Sequence, residues 1–224
     1  LDQGGHLTHG HKVSASGKFW TQVPYGVDKK TEILNYDELK EIAMREKPAI
    51  IVGGYTAYPR EIDFKKLREV ADSCGAYLMI DMSHFAGLVA GKAYPSPFPY
   101  ADIVMTTVHK TLRGPRSAII FSKNDNREFG KKIDKAVFPG LQGGPHENQI
   151  AAVAVALKEA SNPSFRKYAE QIKKNAKVLA DELMRRGWRI ISGGTDSHLI
   201  LIDTLMEGKG ISGKEASERL EKDG

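Results

Sequence analysis

The chain has 224 residues, of which 41% are hydrophobic and 27% are charged, and its formal net charge is +5. This is the composition of a globular protein, and no apolar run approaches the roughly 20 residues of a membrane-spanning helix, so we expect no membrane association. A single cysteine, Cys74, excludes an intrachain disulfide framework and favours a reducing compartment, so we expect a cytoplasmic protein. Because the lysines are spread over predicted helix faces, the positive charge does not by itself predict binding to nucleic acid.

The two ends of the sequence are typical of internal positions in a longer chain. It begins at Leu1 without an initiator methionine, and residues 4–10 are rich in glycine and histidine, as an internal loop is. It ends at Gly224, directly after a charged helical pattern. We therefore expect a central fragment of a larger protein.

Helical and strand patterns alternate in the first half of the chain. Asn35 and Asp63 are predicted to cap two helices with apolar faces, the second of which ends at Gly75. Short apolar runs at 49–52 and 77–80 follow these helices and are typical of buried strands. This alternation predicts an α/β fold with a mostly parallel sheet.

The same sheet is predicted to continue with strands at 103–106 and 118–121. A glycine-rich loop at 139–145 then precedes a helix that begins near Asn148. We assign residues 1–162 to one large domain, of which the beginning is expected to be missing.

The remaining residues, 163–224, are predicted to form a connecting helix and the start of a smaller α+β domain. Pro163 opens a long amphipathic helix that runs to about Arg186. Short strands are expected at 189–191 and 199–202, and Ser212 is expected to cap a last helix.

Candidate functional residues follow three predicted strands. Thr56 comes after the first strand, Asp81 after the second, and His109 and Lys110 after the third. In open α/β sheets, ligands bind beyond the carboxyl ends of the strands. These side chains are therefore candidates for a shared site.

Asp81 is open to several interpretations. Its carboxylate could bind a cation, a protonated ring nitrogen, a ribose hydroxyl or a metal, or it could cap the segment that starts at Met82. His84 could face the same pocket or be a structural histidine. A third ligand at metal-binding spacing is missing from the sequence, so a metal site is not expected.

Lys110 lies just past a buried strand, beside hydroxyls and a histidine. A lysine in such a place can lose its proton at low cost and form a Schiff base with a carbonyl, although most lysines are solvated surface groups. Arg113 and Arg116 could be surface charges or anion ligands. The glycines at 143–144 precede a helix, an arrangement whose backbone N–H groups can hold a phosphate but which alone is a weak signal.

Beyond these local patterns, the sequence resembles the serine hydroxymethyltransferase family. The run from Val104 to Arg116, with His-Lys-Thr-Leu-Arg-Gly-Pro-Arg at its end, is similar to the family's lysine segment for pyridoxal phosphate (PLP). Further matches are Gly-Gly-His-Leu-Thr-His-Gly at 4–10, Gly-Gly-Tyr-Thr-Ala-Tyr at 53–58, Asp-Met-Ser-His at 81–84, residues 138–145, and Ser-Gly-Gly-Thr-Asp-Ser-His at 192–198. They occur in order and span nearly the whole chain.

The resemblance implies a PLP enzyme of the aminotransferase-like fold type I. Lys110 would hold PLP covalently, Asp81 would pair with its pyridine nitrogen, and His6 would stack on its ring. Residues implied in catalysis are Lys110, Asp81, His84, His109 and Thr107. Residues implied in cofactor binding are Lys110, Asp81, His84, His6, Thr56, Arg116, Gly143 and Gly144, of which the two glycines would reach the phosphate in a neighbouring subunit.

The resemblance also implies the reaction, in which the hydroxymethyl group of L-serine moves to tetrahydrofolate and leaves glycine and 5,10-methylenetetrahydrofolate. Leu1, Gly5, His6 and Leu7 match the segment that contacts the folate. A homodimer with a shared site, or a tetramer, would be the working form. Since family residues of the N-terminal arm and C-terminal domain lie outside these 224 residues, we expect this piece alone to be weakly active or inactive. The alternatives are a threonine aldolase or aminotransferase of the same fold, and a non-catalytic fragment.

Overall fold

The computed structural model describes residues 4–123, 127–208 and 210–223. The helices are α1 (Ala15–Phe19), α2 (Tyr36–Glu46), α3 (Phe64–Cys74), α4 (Ala86–Ala90), α5 (Arg127–Lys135), α6 (Glu147–Ala160), α7 (Pro163–Arg185) and α8 (Gly213–Asp223). The strands are β1 (Ile50–Gly53), β2 (Tyr77–Asp81), β3 (Ile103–Thr107), β4 (Ala118–Ser122), β5 (Arg189–Ile190) and β6 (Ile202–Asp203). Shorter helical turns are Ala136–Leu141, Ile191–Gly193 and Met206–Gly208.

The main sheet has the strand order β1-β2-β3-β4. The first three strands are parallel, and β4 pairs antiparallel with β3. The prediction of an α/β fold with a mostly parallel sheet is confirmed, and each of these strands lies within a residue of its predicted bounds. The antiparallel direction of β4 was not predicted.

Side-chain caps fix where the crossover helices begin, as the sequence predicts. The side chain of Asn35 accepts a hydrogen bond from the backbone N–H of Glu38 (3.1 Å), and that of Asp63 accepts one from Lys66 (3.0 Å). Gly75 ends α3 with a φ of 74°, a left-handed conformation that costs glycine little. These caps set the lengths of α2 and α3, which pack against each other beside the sheet.

The core lies between the sheet and its helices. Leu78 and Ile80 of β2 are fully buried, and Leu67 of α3 and Leu88 of α4 are equally inaccessible. Alternate residues of β2 point to opposite sides of the sheet, so the burial of Leu78 and Ile80 marks the better covered face.

Truncating Leu78 to alanine is expected to lower the free energy of unfolding by about 2–5 kcal/mol, because it removes buried contacts and leaves a cavity. Urea unfolding followed by circular dichroism measures this change. The matched control is Leu220→Ala, because Leu220 is 71% exposed and the same truncation there should change stability by less than about 0.5 kcal/mol. Equal losses in the two variants would contradict the placement of the core.

The final third of the chain is organised around α7, which packs against α4 and against β5. Strands β5 and β6 pair antiparallel in a separate two-stranded sheet. The predicted strand at 199–202 was wrong over 199–201. There the backbone N–H of Leu199 donates to the Ser197 hydroxyl, and the first residue of β6 that pairs with β5 is Ile202.

The boundary proposed at residues 162 and 163 falls in the short link between α6 and α7. The division into two domains stays a prediction. Across the three described ranges, no helix is both long and apolar enough to cross a membrane.

Candidate functional site

The sheet brings the predicted site residues to one edge. Asp81 is the last residue of β2, Thr107 is the last residue of β3, and Thr56 lies in the turn that follows β1. Parallel strands end on the same side of a sheet, and the crevice beyond their carboxyl ends is where α/β folds bind ligands. Gly54 allows the turn after β1 to approach β2, since a Cβ atom there would lie 1.9 Å from the carbonyl oxygen of Asp81.

The two oxygens of the Asp81 carboxylate have different partners. Oδ1 accepts from the backbone N–H of Ser83 (3.0 Å) and from the Ser83 hydroxyl, while Oδ2 lies 2.8 Å from Nε2 of His9. Burial acts to raise the pKa of Asp81, but the hydrogen bonds from His9 and Ser83 outweigh it and hold this pKa below its usual value. Asp81 is thus an ionised carboxylate in a largely buried place.

The Ser83 hydroxyl ties this carboxylate to the neighbouring strand. Its oxygen also accepts a hydrogen bond from the backbone N–H of Thr107 (2.9 Å). The carboxylate of Asp81 is therefore oriented by β3 as well as by its own turn. The alternative in which Asp81 caps the segment from Met82 is partly realised, because Oδ1 accepts from the backbone two residues on.

Lys110 lies in the turn after β3, and its ammonium donates to the Thr107 hydroxyl (2.8 Å). The next residue, Thr111, binds this turn to the segment after β2. Its hydroxyl donates to the carbonyl of His84 (3.0 Å) and accepts from the backbone N–H of Gly87 (2.9 Å). The carboxylate and the amine are thus presented by adjacent strands whose loops are hydrogen-bonded together.

Two histidines beside Lys110 are biased toward their neutral forms. Burial, followed by the positive charge of Lys110, lowers the pKa of His84. Burial, then the charges of Lys110 and Arg116, lowers the pKa of His109. A neutral imidazole can donate through one nitrogen and accept through the other, so both rings are suited to hold or pass a proton.

Three described residues of this part of the fold carry a buried polar atom without a hydrogen-bond partner. Within the described residues, the hydroxyl of Thr56, Nδ1 of His109 and Nδ1 of His198 are buried and lack a hydrogen-bond partner. Such atoms are rare in folded proteins because leaving them unpaired costs free energy. Thr56 and His109 follow β1 and β3, so a polar ligand bound at these strand ends could supply the missing bonds of those two residues.

The segment that carries His6 packs on the turn after β1. The carbonyl oxygen of Gly4 accepts from the backbone N–H groups of Thr56 (2.9 Å) and Ala57 (3.1 Å). Nδ1 of His6 is bonded to the Thr8 hydroxyl (2.6 Å), and its charge is among the causes that lower the pKa of His84. Gly5 follows Gly4 in this segment, Leu7 is exposed, and Leu1 lies outside the described residues.

Other predicted residues lie at the periphery. Arg116 is exposed and acts on the site through its charge near His109. Gly143 and Gly144 lie in an exposed loop, and within the described chain no atom comes within 4 Å of where a Cβ would stand on either. A side chain at either position would therefore point into open space.

Sequence reasoning missed three residues of this site: His9, Ser83 and His198. The contact of His9 with Asp81 spans 72 positions in sequence, so only the fold reveals it. The only sequence feature that pointed to His9 was its position three residues after His6 in the same motif.

His198 reaches the site because its segment is bound to the turn after β1. The backbone N–H of Asp196 and the hydroxyl of Thr195 both donate to the carbonyl of Pro59 (3.0 and 3.2 Å). Arg60 donates to the Asp196 carboxylate (3.2 Å). Burial, then the nearby charge of His84, lowers the pKa of His198 to about 4.

A metal is not indicated by this arrangement. Across 4–123, 127–208 and 210–223, no group of three or more His, Cys, Asp or Glu side chains is placed to hold an ion.

Comparison with known proteins supplies the family. Residues 1–223 match the family model for serine hydroxymethyltransferase. The chain is 55% identical over its whole length to a serine hydroxymethyltransferase of Desulfotalea psychrophila, covering 51% of that protein. It is 57% identical over 98% of its length to one from Koribacter versatilis, covering 50% of it, and 56% identical over its whole length to one from Acidobacterium capsulatum, covering 51%.

The chain thus spans about half the length of the curated relatives that it matches. Matches of this identity over its full length, together with a family model that covers nearly every residue, leave the assignment in no doubt. This chain belongs to the serine hydroxymethyltransferase family, whose members are fold-type I enzymes.

Proposed function

We propose that the natural protein transfers the hydroxymethyl group of L-serine to tetrahydrofolate, with PLP as cofactor, and releases glycine and 5,10-methylenetetrahydrofolate. The observation that carries this proposal is the placement of the Asp81 carboxylate and the Lys110 amine at the ends of adjacent strands. Each group is held by hydrogen bonds, Asp81 by His9 and Ser83 and Lys110 by Thr107. The names of the relatives agree with this reaction.

The residues present fit this cofactor. An ionised carboxylate can pair with the pyridine nitrogen, a primary amine can condense with the aldehyde, and the unpaired atoms of Thr56 and His109 can bond to polar groups on the ring. When bound, PLP withdraws electrons from the carbon next to the substrate's amino group, which is the chemistry that breaking the side-chain bond of serine requires.

The protein's own residues prepare the site for that chemistry. The Asp81 carboxylate would hold a proton on the pyridine nitrogen of bound PLP, because ion pairing favours the protonated form. The Thr107 hydroxyl orients the amine of Lys110. His84 is biased toward its neutral form and lies near Lys110, so we assign it a role in holding or passing a proton on the substrate side.

The segment with Gly5, His6 and Leu7 is our proposed folate contact. It is fixed to the site through Gly4, whose carbonyl binds the turn of Thr56, and Leu7 is 61% exposed. An exposed leucine beside a polar site can pack against the face of a heterocyclic ring such as that of folate. Leu1, also assigned to this contact, stays a prediction.

We further propose a homodimer in which the loop with Gly143 and Gly144 reaches the phosphate in the partner's site. Apolar side chains are exposed around that loop and along α6, namely Phe138, Leu141, Ile150 and Val155. Several large apolar side chains exposed in one part of the chain favour a protein–protein interface there. The side of each glycine where a Cβ would stand is open space, which leaves room for a phosphate to approach this stretch of backbone. The roles of Arg116 as a supporting cation, a tetrameric form and a cytoplasmic location stay predictions.

Serine cleavage by the natural protein at full length is expected to depend on tetrahydrofolate. Purified protein loaded with PLP is mixed with L-serine labelled at its hydroxymethyl carbon, with and without tetrahydrofolate, and labelled methylenetetrahydrofolate is quantified. A strong folate-dependent rise in glycine formation supports the proposal. Cleavage of threonine at a rate indifferent to folate would instead indicate an aldolase, and transfer of the amino group to a keto acid would indicate an aminotransferase. The 224-residue chain assayed alone is expected to show little or no turnover.

A further inference from the structure

The turn that presents Lys110 is closed in an unusual backbone conformation. The N–H of Arg113 donates to the carbonyl of Lys110 (2.9 Å), and the N–H of Gly114 donates to that of Val108 (2.8 Å). Arg113 has a φ of +61°, in the left-handed region, which disfavours residues other than glycine and asparagine. A conformation of this kind persists only where other contacts of the residue hold it.

The guanidinium of Arg113 makes those contacts with the start of α7. Its central carbon lies 4.5 Å from the ring centroid of Tyr168 and 5.2 Å from that of Phe165. The two rings pack against each other with centroids 5.6 Å apart. Phe165 is only 3% exposed, so this aromatic pair is anchored in the core.

The arginine is better suited to this aromatic contact than to an ion pair or an anion site. Its distance to the Glu159 carboxylate is 3.9 Å, and both side chains are about half exposed or more, so their ion pair contributes little. The cleft beside it is lined by Glu159 together with Asn162 and Ser164, and the negative charge of that glutamate disfavours an anion there. The sequence left two roles for Arg113, a surface charge or an anion ligand. Stacking on the two aromatic rings accounts for its position better than either role.

Helix α7 is itself fixed to the rest of the site. It packs against α4, which begins two residues after His84, and against β5 at its other end. Gly114 brings the turn close to α6, because a Cβ on Gly114 would lie 3.0 Å from that of Ala156. The backbone beside Lys110 is therefore held from one side by the sheet and from the other by the helices.

We propose that Arg113 is a positioning residue for Lys110, and that its stacking on Tyr168 and Phe165 fixes the turn in which the amine is presented to the cofactor. This inference rests on the proposed function, since it assumes that Lys110 binds PLP covalently. Arg113 acts through the backbone of the turn and touches neither substrate nor cofactor.

The test compares variants on the two sides of this contact in the natural full-length protein. Arg113→Gln removes the cation, Tyr168→Leu removes one ring face, and Tyr168→Phe keeps the ring as the matched control. The protein is stripped of PLP, and the visible absorption band that forms on adding PLP gives both the rate of covalent attachment and the pH at which the band is half-converted. Thermal unfolding is recorded for every variant.

We expect Arg113→Gln and Tyr168→Leu each to slow covalent attachment of PLP roughly two- to fivefold, which corresponds to one cation–π contact at a partly exposed site. The two variants should also shift the pH midpoint of the band in the same direction as each other. Tyr168→Phe should match the wild type. The double variant should be no slower than either single variant, because both remove the same contact.

Three results would overturn the inference. Variants that unfold at lower temperature yet keep the attachment rate and the pH midpoint would show a structural role alone. A Glu159→Gln variant that reproduces the effect of Tyr168→Leu would assign the positioning to the ion pair. Wild-type protein that forms no adduct on Lys110 would remove the basis of both the inference and the proposed function, whereas a normal wild-type adduct with indifferent variants would leave the proposed function intact.

Discussion

Replacing Lys110 with alanine is expected to eliminate the visible band of the protein–PLP adduct and to lower the turnover of serine by at least about 10²–10⁴-fold, the usual contribution of a group that takes part directly in proton transfer or covalent chemistry. The reason is the position of the amine, which is held on the Thr107 hydroxyl at the end of β3 and next to the strand that ends in Asp81. The measurement is an absorption spectrum of protein mixed with PLP, followed by borohydride reduction and peptide mass mapping of the adduct.

The matched control for this variant is Lys214→Ala. Lys214 lies in α8 with its side chain 85% exposed, so its loss should leave both the band and turnover unchanged. Reduced adducts distributed over several surface lysines in the wild type, with the Lys110→Ala spectrum unaltered, would show that Lys110 is not the attachment site. Because alanine is compatible with the turn, thermal unfolding of the variant should stay close to that of the wild type.

Much of the fold could be predicted from the sequence because local chemistry specifies it. Asn35 and Asp63 are strong capping residues with apolar helix faces behind them, and the structure places their caps as expected. The short apolar runs at 49–52 and 77–80 could be predicted as strands because each directly follows a capped helix, although only alternate residues of these strands are fully buried in the fold. The direction of β4 could not be predicted, since a strand's direction depends on which neighbour it pairs with.

The errors have physical causes that are not local. Strand β6 begins later than predicted because the Ser197 side chain takes the backbone N–H of Leu199. The predicted loop at 139–145 begins inside the helical turn Ala136–Leu141, α1 and α5 were not predicted, and α4 begins at Ala86 instead of at Met82, where a helix was one of the alternatives. Helix α4 has only five residues, of which Ala86, Gly87 and Leu88 are buried, so tertiary packing stabilises it more than its own helix propensity does.

The part of the site that lies at the ends of the parallel strands could be predicted from the sequence. The convergence of Thr56, Asp81 and Lys110 follows from a parallel sheet, so the sequence alone placed them at one edge. The partners of these residues could not be predicted, because the bond from His9 to Asp81 and the electrostatic effect of His84 on His198 depend on contacts between distant parts of the sequence. The role of Arg113 likewise could not be decided from the sequence, because its contact with Tyr168 of α7 depends on the fold.

Replacing Asp81 with asparagine is expected to lower turnover by about 10²–10³-fold, the typical cost of removing one preorganised electrostatic group from an active site. The amide is nearly the same size and can still accept from Ser83, so the local turn should persist. It lacks the negative charge that favours a proton on the facing ring nitrogen. Steady-state kinetics and the position of the PLP absorption band, which responds to protonation of the ring, measure the two effects.

The Asp81→Asn variant should also change how stability depends on pH. Hydrogen bonds hold the pKa of Asp81 in the folded protein below its ordinary value, so ionised Asp81 stabilises the fold above that ordinary value. This stabilisation is lost as the pH falls through the lowered folded pKa. The difference in free energy of unfolding between wild type and variant should therefore be largest near neutral pH and shrink in acid.

Urea unfolding of the two proteins between neutral pH and about pH 3 measures this difference, with Asp134→Asn as the control because Asp134 is exposed on α5. A constant difference across that range would mean that the carboxylate of Asp81 is not held ionised by His9 and Ser83. Full turnover in the variant, with an unshifted absorption band, would mean that the cofactor does not pair with this carboxylate. Urea unfolding reports the ionisation of Asp81 without PLP, whereas turnover and the absorption band report its role toward PLP. The two properties of Asp81 can therefore be tested separately.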